Sequence, residues 1–130
     1  GDKKIINALN KIKPPFNVNS FAEACATKAI SDRKFVKKSV RHNLFWGNKI
    51  KKLFENYRIS SNEITSNFLL LNFKNCKISS KLFMDKLLKN RIIARSMKEY
   101  NIKNCIRLSI GNSLENKYLL KVVKKILKNV

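Results

Sequence analysis

The apolar positions of this chain change period twice. Between residues 31 and 57, Val36, Val40, Leu44, Ile50 and Phe54 recur at the spacing of one helix face. Ser31 or Asp32 is placed to cap the start of that helix. Gly47 falls on the stripe, where it either admits a close neighbour or weakens the helix by up to about 1 kcal/mol. Upstream, Pro14 and Pro15 end any incoming helix, because proline cannot continue one and restricts the residue before it. The segment "NVNSFAEACATKAI", 17–30, then reads as a helix of its own. Asn17, Asn19 and Ser20 are its candidate caps, and Ser20 with Glu23 has the spacing of a capping box.

After residue 57 the period shortens. "RIS" at 58–60 and "SNFLLLNF" at 66–73 read as strands, the second a continuous apolar run of the well-buried kind. "SSKLFMDKLLKN" returns to helical spacing, with Phe83 and Leu87, and Met84 and Leu88, as its inner pairs. Two further strands, "RIIARSM" and "CIRLSIG", are joined by "KEYNIKN". A last helix starts at Asn112, with Glu115 at capping-box distance, and carries a stripe of Leu119, Val122, Val123 and Ile126. The order predicts an α+β fold with helices packed on one face of a small, mostly antiparallel sheet.

Composition narrows the chemistry. The 130 residues, 44% hydrophobic, suit one domain with a real core. No apolar run is long enough for a membrane span, and the charged start carries no signal-peptide core. Cys25, Cys76 and Cys105 are odd in number and widely spaced, which fits small core residues in a reducing cytoplasm and excludes a metal cluster. There is no Gly-rich phosphate loop. The single histidine, His42, reads as a helix-surface residue, and the eight carboxylates are scattered. A net charge of +21 invites a nucleic-acid reading. However, 23 of the 29 basic residues are lysine, spread along the whole chain, and Lys, Asn and Ile make up 54 of the 130 residues. All three have A/T-rich codons, so the charge reads as drift of solvated positions. Nucleic-acid readers lean on arginine and stacked aromatics instead.

Arg95 and Arg107 stand out, because each lies inside an apolar run. In a strand alternate side chains share a face. Ile106, Leu108 and Ile110 then take one face of "CIRLSIG", and Cys105, Arg107 and Ser109 the other. In "RIIARSM", Arg95 goes with Ile93 and Arg91, opposite Ile92 and Ala94. If the two strands pair, both guanidiniums could converge on one anion, the task for which a planar, permanently charged fork is suited. Spacing alone leaves open the alternative of surface or salt-bridged arginines on a half-exposed sheet.

The chain resembles the C-terminal part of the pyridoxal-phosphate aminotransferases of the aspartate aminotransferase fold type (fold type I), and among them most closely the histidinol-phosphate aminotransferases. Three segments carry the likeness in order: "KIKPPFNVNSFAEACATKAI", "TSNFLLLNF" and "IIARSMKEYNIKNCIRLSIGNSLEN". The resemblance implies that Arg107 binds the substrate α-carboxylate of glutamate or 2-oxoglutarate and helps hold the phosphate of histidinol phosphate. It implies Arg95 as a second anion-binding arginine, and Asn17 as a pocket-lining residue beside its reading as a helix cap. It also implies a transaminase of histidine biosynthesis that is a homodimer when complete. Residues 1–16 would then be a connector from a missing large domain, and 17–130 the small C-terminal domain.

The family's cofactor lysine, the acid for the pyridine nitrogen and the phosphate cup precede the region present here. The chain is therefore expected to be a fragment or split product that is inactive alone. No catalytic residue and no bound pyridoxal phosphate are expected in it. Two positions depart from the family, which usually has glycine where Arg91 and Asn101 stand. Glycine serves where φ is positive, so the turn at Arg91 is expected to differ. The alternative from another class is a free-standing basic domain, a degenerate remnant binding nucleic acid or another polyanion.

Overall fold

The computed structural model describes residues 1–13 and 18–128. Asn17 lies outside them. The chain divides into two compact units, Gly1–Lys37 and Lys38–Val130.

The first unit holds helices α1, Lys3–Ile12, and α2, Ser20–Ser31, and the start of α3, Arg33–Glu55. Asp2 caps α1, its Oδ1 accepting from the Lys4 N–H at 2.8 Å. Asn19 caps α2, accepting from the Ala22 N–H at 2.8 Å, so the Ser20–Glu23 box is not the device used. Asp32 Oδ1 accepts from the Phe35 N–H at 2.9 Å and caps α3. Neither α1 nor α2 buries a residue, and Cys25, expected as a core residue, is exposed.

The second unit holds the sheet and the core. Its strands are β1, Ser60–Ser61; β2, Phe68–Asn72; β3, Arg95–Ser96; and β4, Cys105–Ser109, in the order β1-β2-β4-β3, antiparallel throughout. Helices α4, Ser80–Lys89, and α5, Ser113–Leu127, complete it. Leu69 and Leu71 of β2 and Ile106 and Leu108 of β4 meet Ile50 and Phe54 of α3, Phe83 and Leu87 of α4, and Leu119, Val122, Val123 and Ile126 of α5. Fully burying each of these side chains contributes about 1.5–3 kcal/mol before chain entropy is counted. The expected α+β architecture, with helices on one face of a small antiparallel sheet, is the one present.

Three expectations change at closer range. The stripe of α3 is core only in its C-terminal half. Trp46, Gly47, Ile50, Leu53 and Phe54 are buried, whereas Val36, Val40 and Leu44 are exposed. β2 is not buried on both faces: Leu69 and Leu71 are buried, while Phe68, Leu70 and Asn72 are half-buried. Leu88, expected as an inner residue of α4, is exposed. Gly47 is a close-approach glycine, since a Cβ there would lie 2.9 Å from Ile64 and 3.1 Å from Ile110.

Arg58 and Arg91 share one backbone device. Arg91 has φ 58° and Arg58 φ 60°, both left-handed. After α4, Ile92 N–H donates to the Leu87 carbonyl at 3.0 Å and Arg91 N–H to Leu88 at 2.8 Å. After α3, Ile59 N–H donates to Phe54 at 3.1 Å and Arg58 N–H to Glu55 at 3.0 Å. Both are Schellman C-caps, whose left-handed position glycine usually occupies. Arg58 and Ile59 of "RIS" therefore close a helix, and the strand expected there starts only at Ser60, the first residue of β1. The turn expected to change at Arg91 keeps the left-handed backbone, and Asn101 keeps it too, with φ 58°.

Candidate functional site: an arginine pair on the open sheet face

The register of the sheet sets the site. Arg107 of β4 lies opposite Arg95 of β3 on one side and Leu70 of β2 on the other. Directly opposed residues project to the same face, so Leu70, Arg107 and Arg95 form a row across three strands. The next row pairs Phe68 with Ser109. Leu69, Leu71, Ile106 and Leu108 have gone to the core, so this row lies on the face away from α3, α4 and α5.

Two like charges directly opposite each other on a sheet repel. No acid among the described residues relieves them. Among the described residues the one ion pair is Lys51 with Glu63, at 2.6 Å, on another part of the surface. Each arginine is held by an aromatic ring instead. The Arg107 guanidinium, half-buried, sits 4.9 Å from the centroid of Phe68. The Arg95 guanidinium, exposed, sits 5.2 Å from the centroid of Tyr100 and donates from Nη2 to the Tyr100 hydroxyl at 2.8 Å. Tyr100 comes within reach because the 3-10 turn Lys98–Tyr100 ends at left-handed Asn101. Ile102 N–H then bonds back to the Met97 carbonyl at 3.2 Å. A cation on a ring face is attracted without being neutralised. The pair can therefore receive a carboxylate or phosphate through guanidinium N–H groups that no acid occupies.

The far end of β4 is pinned to the helices. Asn116, 1% exposed and the one buried polar residue among those described, accepts from the Gly111 N–H at 3.0 Å and donates to the Gly111 carbonyl at 2.7 Å. His42 Nε2 donates to the same carbonyl at 2.9 Å. His42 is thus partly buried and tied to the β4–α5 turn, not the free helix-surface residue expected. Trp46 Nε1 donates to Ser113 Oγ at 3.2 Å. The Asn112–Glu115 capping box is present as expected. A Cβ at Gly111 would overlap the Glu115 side chain, so that box requires glycine there.

The family model described as aminotransferase class I and II matches residues 1–126. The chain belongs to the class I and II aminotransferases. Histidinol-phosphate aminotransferase of Pelagibacter ubique is 48% identical over 127 residues, which are 97% of this chain and 35% of that protein. The enzyme of the same name from Campylobacter hominis is 34% identical over 97% of the chain and 34% of its own length. The chain thus spans about a third of the length of these curated aminotransferases. The crystal structure of histidinol-phosphate aminotransferase from Clostridium acetobutylicum superposes with a TM-score of 0.82 at 22% identity, over 99% of this chain and 39% of that one. A decarboxylase from Sulfurospirillum multivorans shares the fold with a TM-score of 0.68 at 20% identity, over 97% of this chain and 37% of that one.

Complete class I and II aminotransferases use pyridoxal phosphate. That cofactor needs a lysine amine, an acid for its ring nitrogen and a phosphate cradle. The strand residues on the arginine face are Ser60, Phe68, Leu70, Asn72, Arg95, Cys105, Arg107 and Ser109. They include neither a lysine nor an acid, so this donor set fits an anion and does not fit the cofactor. Two side chains touching the arginines, Phe68 and Tyr100, were not singled out in the sequence. Tyr100 lies five residues after Arg95, but nothing local marks Phe68, whose approach to Arg107 depends on the β2–β4 register.

Proposed function

We propose that this chain is the small C-terminal domain of a histidinol-phosphate aminotransferase, with residues 1–16 leading in from the large domain and 17–130 forming the small one. The reaction exchanges an amino group between histidinol phosphate and 2-oxoglutarate. The observation that carries the reading is the Arg95–Arg107 register on the open face, with neither guanidinium matched to a carboxylate among the described residues. The 48% identity to the Pelagibacter ubique enzyme supports it. Arg107 takes the carboxylate of glutamate or 2-oxoglutarate bidentately and receives the phosphate of histidinol phosphate in turn. Arg95 supplies the second contact to the anion. Held at two points, the substrate presents its amine or carbonyl in one orientation. The amino-transfer chemistry belongs to pyridoxal phosphate and to the rest of the enzyme, a homodimer when complete.

The test joins this chain to the Pelagibacter ubique relative in place of the segment it matches. The chimera is expected to transaminate histidinol phosphate with 2-oxoglutarate. Arg107→Ala is expected to lower kcat/KM by about 10²–10³-fold, the loss of two charge-assisted hydrogen bonds. An active chimera indifferent to Arg107→Ala would refute the clamp.

A further inference from the structure

We infer that Phe68 is a positioning residue for the Arg107 clamp, an aromatic shelf that fixes the guanidinium while leaving its N–H groups to the incoming anion. The inference rests on the proposed role of Arg107 and goes beyond it.

Phe68 sits on the diagonal from Arg107. Phe68 pairs with Ser109 and Leu70 with Arg107, so the ring reaches the guanidinium from the neighbouring row. Diagonal neighbours on an antiparallel pair are within reach of aromatic and long side chains. The ring is half-buried while the flanking Leu69 is buried in the core, so the backbone beneath the shelf is anchored from the other face. The Asn67 carbonyl, one residue before the shelf, accepts from the Ile110 N–H at 2.8 Å and closes the β2–β4 ladder beside it.

A free arginine side chain loses rotamer freedom when an anion fixes it. A chain that fixes it beforehand removes that cost from binding. The usual means is a carboxylate, but a carboxylate here would compete with the substrate's own carboxylate for the same fork. A ring face attracts the cation through its quadrupole and occupies none of the in-plane donors. Among the described residues no side-chain hydrogen bond or ion pair competes for the Arg107 fork. Its contact with Phe68 therefore orients without neutralising. Leucine in place of Phe68 would keep the apolar bulk on the sheet and remove the quadrupole.

The experiment uses the active chimera described above, with Arg107→Ala as the reference. Phe68→Leu is expected to raise KM for 2-oxoglutarate about threefold to thirtyfold with kcat changed less than twofold, the span of a cation–ring contact. Phe68→Tyr and Phe68→Trp, which keep a ring face, are expected to restore the KM. Phenylalanine analogues of increasing ring fluorination at position 68 are expected to raise KM in graded order, because they weaken the quadrupole at nearly constant size. A purely structural role would instead lower kcat and thermal stability together and would not follow ring fluorination. If Arg107→Ala abolishes activity while KM ignores both Phe68→Leu and fluorination, the shelf is refuted and the clamp stands. If Arg107→Ala is harmless, the clamp itself fails and the shelf falls with it.

Discussion

Arg91 offers a test in the direction opposite to most substitutions. It holds the left-handed position of the α4 C-cap at φ 58°. An L-residue there costs about 1–2 kcal/mol relative to right-handed backbone, because Cβ crowds the following carbonyl. Glycine removes that crowding but returns about 0.5–1 kcal/mol through the greater freedom of its unfolded chain. Arg91 is exposed, and the one ion pair among the described residues is elsewhere, so no salt bridge needs subtracting. Arg91→Gly is therefore expected to stabilise the folded unit by about 0.5–1 kcal/mol, which at this chain length raises Tm by about 2–4 °C. Thermal unfolding of the 130-residue chain followed by circular dichroism at neutral pH measures it. Arg91→Ala is the control: it deletes the guanidinium but keeps Cβ, and is expected to gain nothing. A lowered Tm for Arg91→Gly, or an equal gain for Arg91→Ala, would show that the backbone argument is wrong.

Other expectations follow from the same geometry. Asn116→Ala removes both hydrogen bonds to Gly111 and leaves a buried N–H without a partner. Urea denaturation should show a loss of about 2–4 kcal/mol, and a loss below about 1 kcal/mol would mean the turn finds another partner. The cysteines should separate by reactivity. Ellman's reagent should modify exposed Cys25 in the native chain, and buried Cys105 only on unfolding. Burial holds the Cys105 thiol above its ordinary range. Its contribution to stability is whole below about pH 8.5, where the unfolded thiol begins to ionise, and is lost as the pH rises through the folded value. Cys105→Ala should flatten that alkaline decline, and an unchanged decline would assign it to other groups.

How much of this was legible in the sequence depends on the range of the interaction. Caps are local, so Asn19, Asp32 and Asn112 could all be named from side chains that reach the backbone a few residues on. The alternation of β4 was legible as well, because the two-residue period of a strand is a property of the backbone. The exposed half of the α3 stripe was not. An apolar face reads the same whether or not something covers it, and burial within the described unit begins only where Trp46 and Ile50 meet the sheet and α5. His42 was misplaced for the same reason, since its partner Gly111 is 69 residues away.

By itself the sequence determined the order of helices and strands, the alternation that sends Arg107 away from the core, and the family likeness. The tertiary structure alone decided which residues meet across strands. The pairing of Arg95 with Arg107 and the shelf under Arg107 both depend on how separate segments are registered against one another. A one-residue slip in that register would send every side chain of a strand to the opposite face. What fixes it is the burial of Leu69, Leu71, Ile106 and Leu108 against the helices.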